Sequence, residues 1–225
     1  MKNTVLKLAG SGDFFTQEAY KTLRTNVQFC GQDIRVIAVT SCYENEGKTV
    51  ISLNLAKSLA ELGKSVLVID ADMRKSVVAG RHTSTKRPMG LSEALTGMQK
   101  VDDCIYQTQI EQLQIMFSGK YPPNPVELLG GPHFAQLLEH ARKVYDYIIV
   151  DTPPLGQVID AAVVAPRCDG AILVMADSAI RYRTAQEVVE QLRKSGSKIL
   201  GVVRNNVKRS KNDHSKDKYY AAYGK

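Results

Sequence analysis

Short apolar runs recur along the chain, and most of them are apolar at every position instead of alternating with polar residues. This pattern is typical of strands that are covered on both faces of a sheet. Several runs are rich in valine and isoleucine, which favour extended structure. The runs predict six strands, at residues 35–40, 66–70, 113–117, 147–151, 170–175 and 198–203.

Helical patterns lie between these runs. Residues 49–62, 132–143 and 184–194 repeat apolar residues at helical spacing, and residues 13–30 form a further helix candidate before the first strand. Gly63 is placed to end the first of these helices in the left-handed conformation. Its apolar stripe consists of Ile51, Leu55, Leu59 and Leu62. Because strands alternate with helices, the sequence predicts an α/β fold with a doubly wound, mostly parallel sheet.

Length and charge divide the chain into a body and a tail. The 225 residues, 44% of them hydrophobic, suit one globular domain, which we predict at residues 1–205. Residues 206–225 are polar and charged, so we expect a flexible tail. The segment from Arg204 to Lys225 carries +5 of the formal net charge of +7. Because the body is nearly balanced, the charge pattern argues against a nucleic-acid partner.

Targeting signals and cysteine spacing further limit the class of protein to which the chain can belong. No run approaches the roughly 20 apolar residues of a membrane-spanning helix. The first residues lack the apolar core of a secretory signal, so we expect a cytoplasmic protein. The four cysteines, at positions 30, 42, 104 and 168, form no short pair, and this spacing predicts neither a zinc site nor a disulfide framework.

A phosphate-binding loop is predicted directly after the first strand. Residues 41–49 read Ser-Cys-Tyr-Glu-Asn-Glu-Gly-Lys-Thr and precede a helix, which is the strand–loop–helix context that such a loop requires. Lys48 is expected to reach the β- and γ-phosphates, and the Thr49 hydroxyl to ligate Mg²⁺. Asn45 suits a position of positive φ. The predicted nucleotide-binding residues are Cys42, Tyr43, Glu44, Asn45, Glu46, Gly47, Lys48, Thr49 and Val50.

Carboxylates follow two of the predicted strands. Asp70 and Asp72 end the run at 66–70, and Asp151 ends the run at 147–151. In an open α/β sheet, ligands bind outside the carboxyl ends of the strands. Mg²⁺ prefers oxygen ligands and keeps several waters. The three carboxylates are therefore expected to converge on a Mg²⁺–phosphate group.

Together these motifs resemble those of a known family, the bacterial tyrosine kinases associated with capsule and exopolysaccharide synthesis. Residues 40–49, 70–74 and 151–154 resemble, in that order, its Walker A, Walker A′ and Walker B signatures. Residues 18–26 and 122–129 are further matches. The resemblance extends from about residue 13 to the C-terminus, where it is completed by a tyrosine cluster consisting of Tyr219, Tyr220 and Tyr223.

The resemblance implies a P-loop fold related to partition and septum-site ATPases, with ATP and Mg²⁺ as cofactors. By it, Lys48 is catalytic, Asp70 activates the tyrosine hydroxyl, and Asp72 and Asp151, with Thr49, serve the metal. Asn205 corresponds to a residue near the adenine. The implied activity is ATP-dependent tyrosine autophosphorylation of the tail cluster in trans, which would regulate polysaccharide synthesis or export.

The resemblance also implies partners. The family's Glu-x-x-Arg-x-x-Arg helix packs the kinases into a ring, and here it reads Glu18, Lys21 and Arg24. Lysine in the middle keeps the charge but loses the bidentate fork of arginine. In several relatives the kinase is separate from a membrane-embedded activator protein. We therefore expect a homo-oligomer that such a partner recruits to the inner face of the membrane, with protein tyrosines as substrates.

Two other functions remain open on the sequence. A partition-type ATPase without kinase activity shares the loop and the carboxylates, but many such proteins carry an additional lysine where this chain has Ser41 or Cys42. An inactive scaffold is the other alternative. It is suggested by Cys42, which replaces the usual first glycine, and by Glu44 and Asn45, which replace a common Pro-Gly pair.

Overall fold

The computed structural model describes residues 13–82, 88–177 and 180–207. Within them, one seven-stranded sheet forms the centre of the domain. Along the sheet the strands follow the order β3-β4-β2-β5-β1-β6-β7. Their bounds are Val36–Ser41 (β1), Val66–Asp70 (β2), Ile105–Gln107 (β3), Leu113–Met116 (β4), Tyr147–Asp151 (β5), Gly170–Ala176 (β6) and Ile199–Asn205 (β7).

The sheet is parallel except at one edge, where β3 pairs antiparallel with β4. β1 lies between β5 and β6, and β2 pairs with β5 on its other side. The prediction of a doubly wound, mostly parallel sheet is therefore confirmed. Because parallel strands end at the same edge, the residues that follow β1, β2 and β5 meet there. In register, Asp70 lies beside Asp151.

Helices cover both faces of the sheet, as the burial of every residue of β1 and β2 and of all but the first residue of β5 requires. On one face, the helices at Phe14–Phe29 and Lys48–Ala60 pack with the start of the helix at Val78–His82. The residues in contact are Val27, Ile51, Leu55, Leu59 and Val78. On the other face, residues of the later helices form a second core that includes Phe134, Leu138 and Leu192. The helices span Phe14–Phe29 (α1), Lys48–Ala60 (α2), Val78–His82 (α3), Leu91–Leu95 (α4), Pro125–Gly130 (α5), Pro132–Val144 (α6), Asp160–Val164 (α7) and Tyr182–Lys194 (α8).

Two local predictions differ from the structure. Leu62, expected on the buried stripe of α2, lies beyond the end of that helix and is 48% exposed. The helix stops at Ala60 and the chain turns through Gly63, whose φ is 75°, so Leu62 rotates away from the core. The edge strand β3 was not predicted, because three residues with a single buried side chain give no recognisable pattern.

Two further expectations concern the membrane and the tail. Within the described residues, no helix combines the length and the apolar character needed to cross a bilayer. Of the predicted tail, only residues 206 and 207 are described. The phosphoacceptor prediction falls outside the described residues, because it concerns Tyr219, Tyr220 and Tyr223.

Candidate nucleotide and phosphoryl-transfer site

The loop between β1 and α2 has the backbone of a phosphate cradle. Gly47 precedes the first residue of α2, Lys48, and has a φ of 89°, while Asn45 has a φ of 64°. The positive φ predicted for Asn45 is confirmed. Left-handed residues in such a loop turn successive N–H groups toward one point, and the dipole of the 13-residue helix α2 favours negative charge there. The loop can therefore hold phosphate oxygens.

Lys48 faces the acidic strand ends. Its Nζ lies 3.2 Å from Oδ2 of Asp72, and this ion pair is largely buried. Burial by itself would lower the pKa of Lys48, but the carboxylates of Asp151, Asp72 and Asp70 outweigh it and raise that pKa above its ordinary value. Lys48 is therefore held as a cation where the loop ends and α2 begins.

Asp151, at the end of β5, accepts hydrogen bonds from two hydroxyl groups of α2. The hydroxyl of Thr49 donates to Oδ2 at 2.6 Å and that of Ser52 donates to Oδ1 at 3.1 Å. Burial raises the pKa of Asp151, while Lys48 and the two hydroxyls oppose the shift. A threonine hydroxyl against a carboxylate is a donor set that suits Mg²⁺, so these residues fit the predicted ion. Ser52 was not predicted, although it lies one helical turn beyond Lys48.

Asp70, at the end of β2, is fully buried behind Asp72. Ser76 donates its hydroxyl to Oδ2 of Asp70, and the backbone N–H of Asp72 donates to Oδ1 at 3.2 Å. Burial and the neighbouring Asp151 raise the pKa of Asp70 to about 7. The structure thus brings all three predicted carboxylates together, in distinct settings.

The cleft above these residues has a volume of about 340 Å³. Of the predicted residues, Glu44, Asn45, Gly47, Lys48, Thr49, Val50 and Asp72 line it. Asp70 and Asp151 do not line it, because both lie buried behind its wall. A further part of the lining is apolar and consists of Val77, Pro153, Pro154 and Val158. The site therefore combines a charged phosphate end with an apolar wall.

Four predicted nucleotide-binding residues do not line this cleft, namely Cys42, Tyr43, Glu46 and Asn205. Cys42 is fully buried in the core, which leaves only its backbone for any phosphate contact. The Tyr43 hydroxyl lies 3.4 Å from that of Thr184. The buried Glu46 carboxylate and the Asn205 amide are engaged with backbone groups.

Two ion pairs at the rim of the cleft were not predicted. Nε of Arg74 lies 3.0 and 3.2 Å from the two carboxylate oxygens of Asp160, a buried residue at the start of α7. Nζ of Lys75 lies 2.6 Å from Glu44. The Arg74 pair fixes the segment after β2 against the opposite wall. Asp160 carries no sequence signal, because its partner lies 86 residues earlier in the chain.

The three residues of the predicted subunit contact lie on α1. Glu18 and Lys21 form an exposed pair at 2.6 Å, and Arg24 donates from Nη1 to the carbonyl of Ser58 on α2 at 2.8 Å. Glu18 and Lys21 are therefore accessible on the surface of α1, whereas Arg24 is partly buried against its own domain. Among the described residues, Nε of Arg24 has no hydrogen-bond partner.

Taken together, the loop, the lysine and the carboxylates at the carboxyl edge of a parallel sheet define a P-loop nucleotide-binding protein. A family model described as an AAA domain matches residues 34–198. Tyrosine-protein kinase CpsD of Streptococcus agalactiae is 41% identical over 210 residues, which cover 93% of this chain and 90% of that protein. The chain therefore belongs to the bacterial tyrosine-protein kinase family.

Solved structures agree with this assignment. The kinase domain of Escherichia coli tyrosine kinase ETK has a TM-score of 0.80 at 31% identity, covering 87% of this chain and 78% of that chain. The septum site-determining protein MinD of Pyrococcus horikoshii, complexed with Mg-ADP, has a TM-score of 0.65 at 27% identity, covering 81% and 76% respectively. The predicted kinship with septum-site ATPases is confirmed, and the chain is a protein-tyrosine kinase.

Proposed function

We propose that this chain is an ATP- and Mg²⁺-dependent autokinase that phosphorylates Tyr219, Tyr220 and Tyr223 of a neighbouring copy. The observation that carries the proposal is the convergence of Lys48, Thr49, Asp72 and Asp151 at the phosphate loop. Mg²⁺ bound there would neutralise charge that develops on the transferred phosphate. In this scheme Lys48 holds the β- and γ-phosphates, while Thr49, Asp72 and Asp151 hold the metal.

Asp70 is assigned to the acceptor. A carboxylate with a pKa near 7 is matched to accepting a proton at neutral pH. In this proposal Asp70 takes the proton of the tyrosine hydroxyl or orients that hydroxyl, after the wall in front of it adjusts to the substrate. Because Asp70 is buried behind the cleft, its contribution depends on the position of Asp72 and Ser76, to which it is hydrogen-bonded.

The apolar wall of the cleft supports an aromatic acceptor. Val77, Pro153, Pro154 and Val158 lie in the same cleft as Lys48 and Asp72. A tyrosine ring needs apolar contact on its faces while its hydroxyl remains near polar groups. Serine or threonine would leave this wall uncovered. The wall therefore favours tyrosine over the aliphatic hydroxyl residues.

Two arguments support transfer between copies: the length of the tail and the nearness of active sites in a ring. Residues 206–225 can extend to about 70 Å at 3.3–3.6 Å per residue, which is enough to reach a neighbouring site. In a ring built through Glu18, Lys21 and Arg24, each tail would find an adjacent site at high effective concentration. Three phosphates would add about −5 to −6 charge, against +5 from Arg204 onward. Phosphorylation would thus cancel or reverse the charge of the tail and loosen the ring.

The same resemblance supplies the proposed setting. We assign the kinase to the cytoplasmic face of the membrane, recruited by a membrane-embedded activator, where its phosphorylation cycle regulates capsular or extracellular polysaccharide synthesis. The intact Lys48, Thr49 and Asp151 contacts favour activity over the scaffold alternative. The tyrosine cluster favours the kinase over a partition-type ATPase, which has no use for it.

The decisive experiment mixes two variants with labelled ATP and Mg²⁺. One is Lys48→Met with an intact tail, and the other is active but carries phenylalanine at Tyr219, Tyr220 and Tyr223. We expect phosphate on the tail of the Lys48→Met protein. Each variant incubated alone is the control. If label never appears on the Lys48→Met tail while unmodified protein labels itself, transfer between copies is wrong.

A further inference from the structure

The phosphate loop is braced by two residues that do not line the cleft. The Glu46 carboxylate is buried, and it accepts the backbone N–H of Tyr43 at 2.6 Å and that of Ala176 on β6 at 3.0 Å. The Asn205 side chain donates from Nδ2 to the carbonyl of Glu46 at 2.9 Å. Loop, β6 and β7 are therefore joined at one residue, Glu46.

The contact between Asn205 and the loop is close. A Cβ added at Gly47 would lie 2.0 Å from Nδ2 of Asn205, so the amide fills the space behind the Gly47 backbone. The backbone carbonyl of Asn205 in turn accepts the N–H of Asp177, which secures the end of β7. Asn205 is thus fixed on one side by the sheet and bonded on the other to the peptide that joins Glu46 to Gly47.

These contacts have a reason in the sequence of the loop. Gly47 is the one glycine among residues 41–49, so the loop takes its shape with side chains at positions where phosphate loops use glycine. A loop that is ordered only when phosphate arrives loses part of the binding free energy to ordering. Hydrogen bonds that already hold the loop in the free protein reduce that cost.

We infer that Glu46 and Asn205 are positioning residues, which hold the phosphate loop in its binding conformation without touching the nucleotide base. This inference rests on the nucleotide site of the proposed function, but not on phosphate transfer to tyrosine. For Asn205 it differs from a contact with adenine. A base contact discriminates between nucleotides, whereas a loop brace acts on any ligand that has a polyphosphate.

The test measures the affinity of the full chain for Mg-ADP and for base-free magnesium tripolyphosphate, the latter as a competitor. We expect Asn205→Ala to weaken both by the same factor, about five- to tenfold, which corresponds to about 1 kcal/mol for one partly buried hydrogen bond. Asn206→Gly is the matched control, because it removes the next amide and glycine tolerates the φ of 56° at that position. This control is expected to bind both ligands like the unmodified protein.

Two results would overturn the inference. Unchanged affinity of Asn205→Ala for both ligands would show that the brace has no part in binding. Weaker binding of Mg-ADP with unchanged tripolyphosphate binding would show that Asn205 contacts the base. Asn205 lies at the partly exposed end of an edge strand, so its truncation leaves the core intact. Neither result bears on tyrosine transfer, which the tail-mixing experiment tests separately.

Discussion

Replacing Asp70 by asparagine is expected to change the stability of the fold and the rate of phosphate transfer in opposite directions. Asp70 is fully buried beside Asp151, and its pKa is raised from 3.8 to about 7. A carboxyl whose pKa is higher in the folded state favours folding most while it is protonated. That contribution is complete below about pH 4 and is lost as the pH rises to about 7. Asparagine cannot ionise, so the Asp70→Asn variant does not lose this stability as the pH rises.

The size of the effect follows from the shift. A pKa change of about three units corresponds to about 4 kcal/mol in the free energy of unfolding, taken as an upper bound. We expect Asp70→Asn to be more stable than the unmodified protein by up to this amount at pH 8. The difference should shrink steadily between pH 7 and pH 4. Ser76 can still donate its hydroxyl to the amide oxygen, but the amide nitrogen then faces the backbone N–H of Asp72, so the gain is expected to be smaller than the upper bound.

The assay is urea unfolding at pH 4, 5, 6, 7 and 8, with a chelator present so that divalent ions do not compensate the carboxylate. Asp146→Asn is a matched control, because Asp146 is only partly buried and hydrogen bonds from Ser65 lower its pKa. That change should be destabilising at pH 8. In a separate kinase assay with Mg²⁺ and no chelator, Asp70→Asn should bind Mg-ATP but transfer phosphate to tyrosine at least a hundredfold more slowly than the unmodified protein.

Two outcomes would refute this reasoning. If Asp70→Asn has the same stability as the unmodified protein at pH 8, Asp70 is not a strained buried charge. If its transfer rate is unchanged, the proposed role of Asp70 toward the tyrosine hydroxyl is wrong, whatever the stability shows.

The remaining predictions use other parts of the site. Glu44→Gln should tighten Mg-ATP binding about two- to fivefold in a fluorescence titration, because a negative charge leaves the rim and Lys75 is released; weaker binding would contradict this. Val77→Asn, a neutral polar change, should lower tyrosine transfer more than tenfold while Mg-ATP affinity stays within twofold, since the apolar wall faces the acceptor; equal loss of both would contradict it. Alanine at Glu18, Lys21 and Arg24 together should lower the molar mass measured by light scattering, and an unchanged mass would refute the subunit contact.

Much of the fold could be predicted because its strands are buried on both faces. Six apolar runs correspond to β1, β2 and β4–β7, and the helices α2, α6 and α8 were recognised from their spacing. Helix α1 was expected as a helix candidate before the first strand. The elements that escaped prediction, β3, α3, α4, α5 and α7, have three to six residues each. Such pieces are shorter than the period that a pattern needs to repeat, and they are stabilised by tertiary contacts.

The residues of the site also include some that the sequence predicted and some that it did not. Lys48, Thr49, Asp70, Asp72 and Asp151 were found because their positions at strand ends and at a helix start already imply a common edge. Ser52 and Ser76 donate to Asp151 and Asp70, and Asp160 pairs with Arg74 at the rim. These three residues lie on surfaces that only the folded chain brings together.

Asn205 shows the limit most clearly. Its position after the last strand suggested the neighbourhood of the nucleotide, but not its partner, the carbonyl of Glu46, 159 residues away in the chain. A backbone carbonyl has no side-chain signature, so sequence reasoning could not have found this bond.

The crowding of Asp70, Asp72 and Asp151 around one lysine has a practical consequence for screening. When all are ionised, the cluster holds two uncompensated negative charges in a buried place, and a divalent ion matches them. We expect melting temperatures to vary with trace metal and chelator in the buffer before any compound is added. Inhibitor searches by thermal shift therefore need a fixed magnesium concentration. Compounds that bring a cationic group to this cluster should give larger shifts than their contact area suggests.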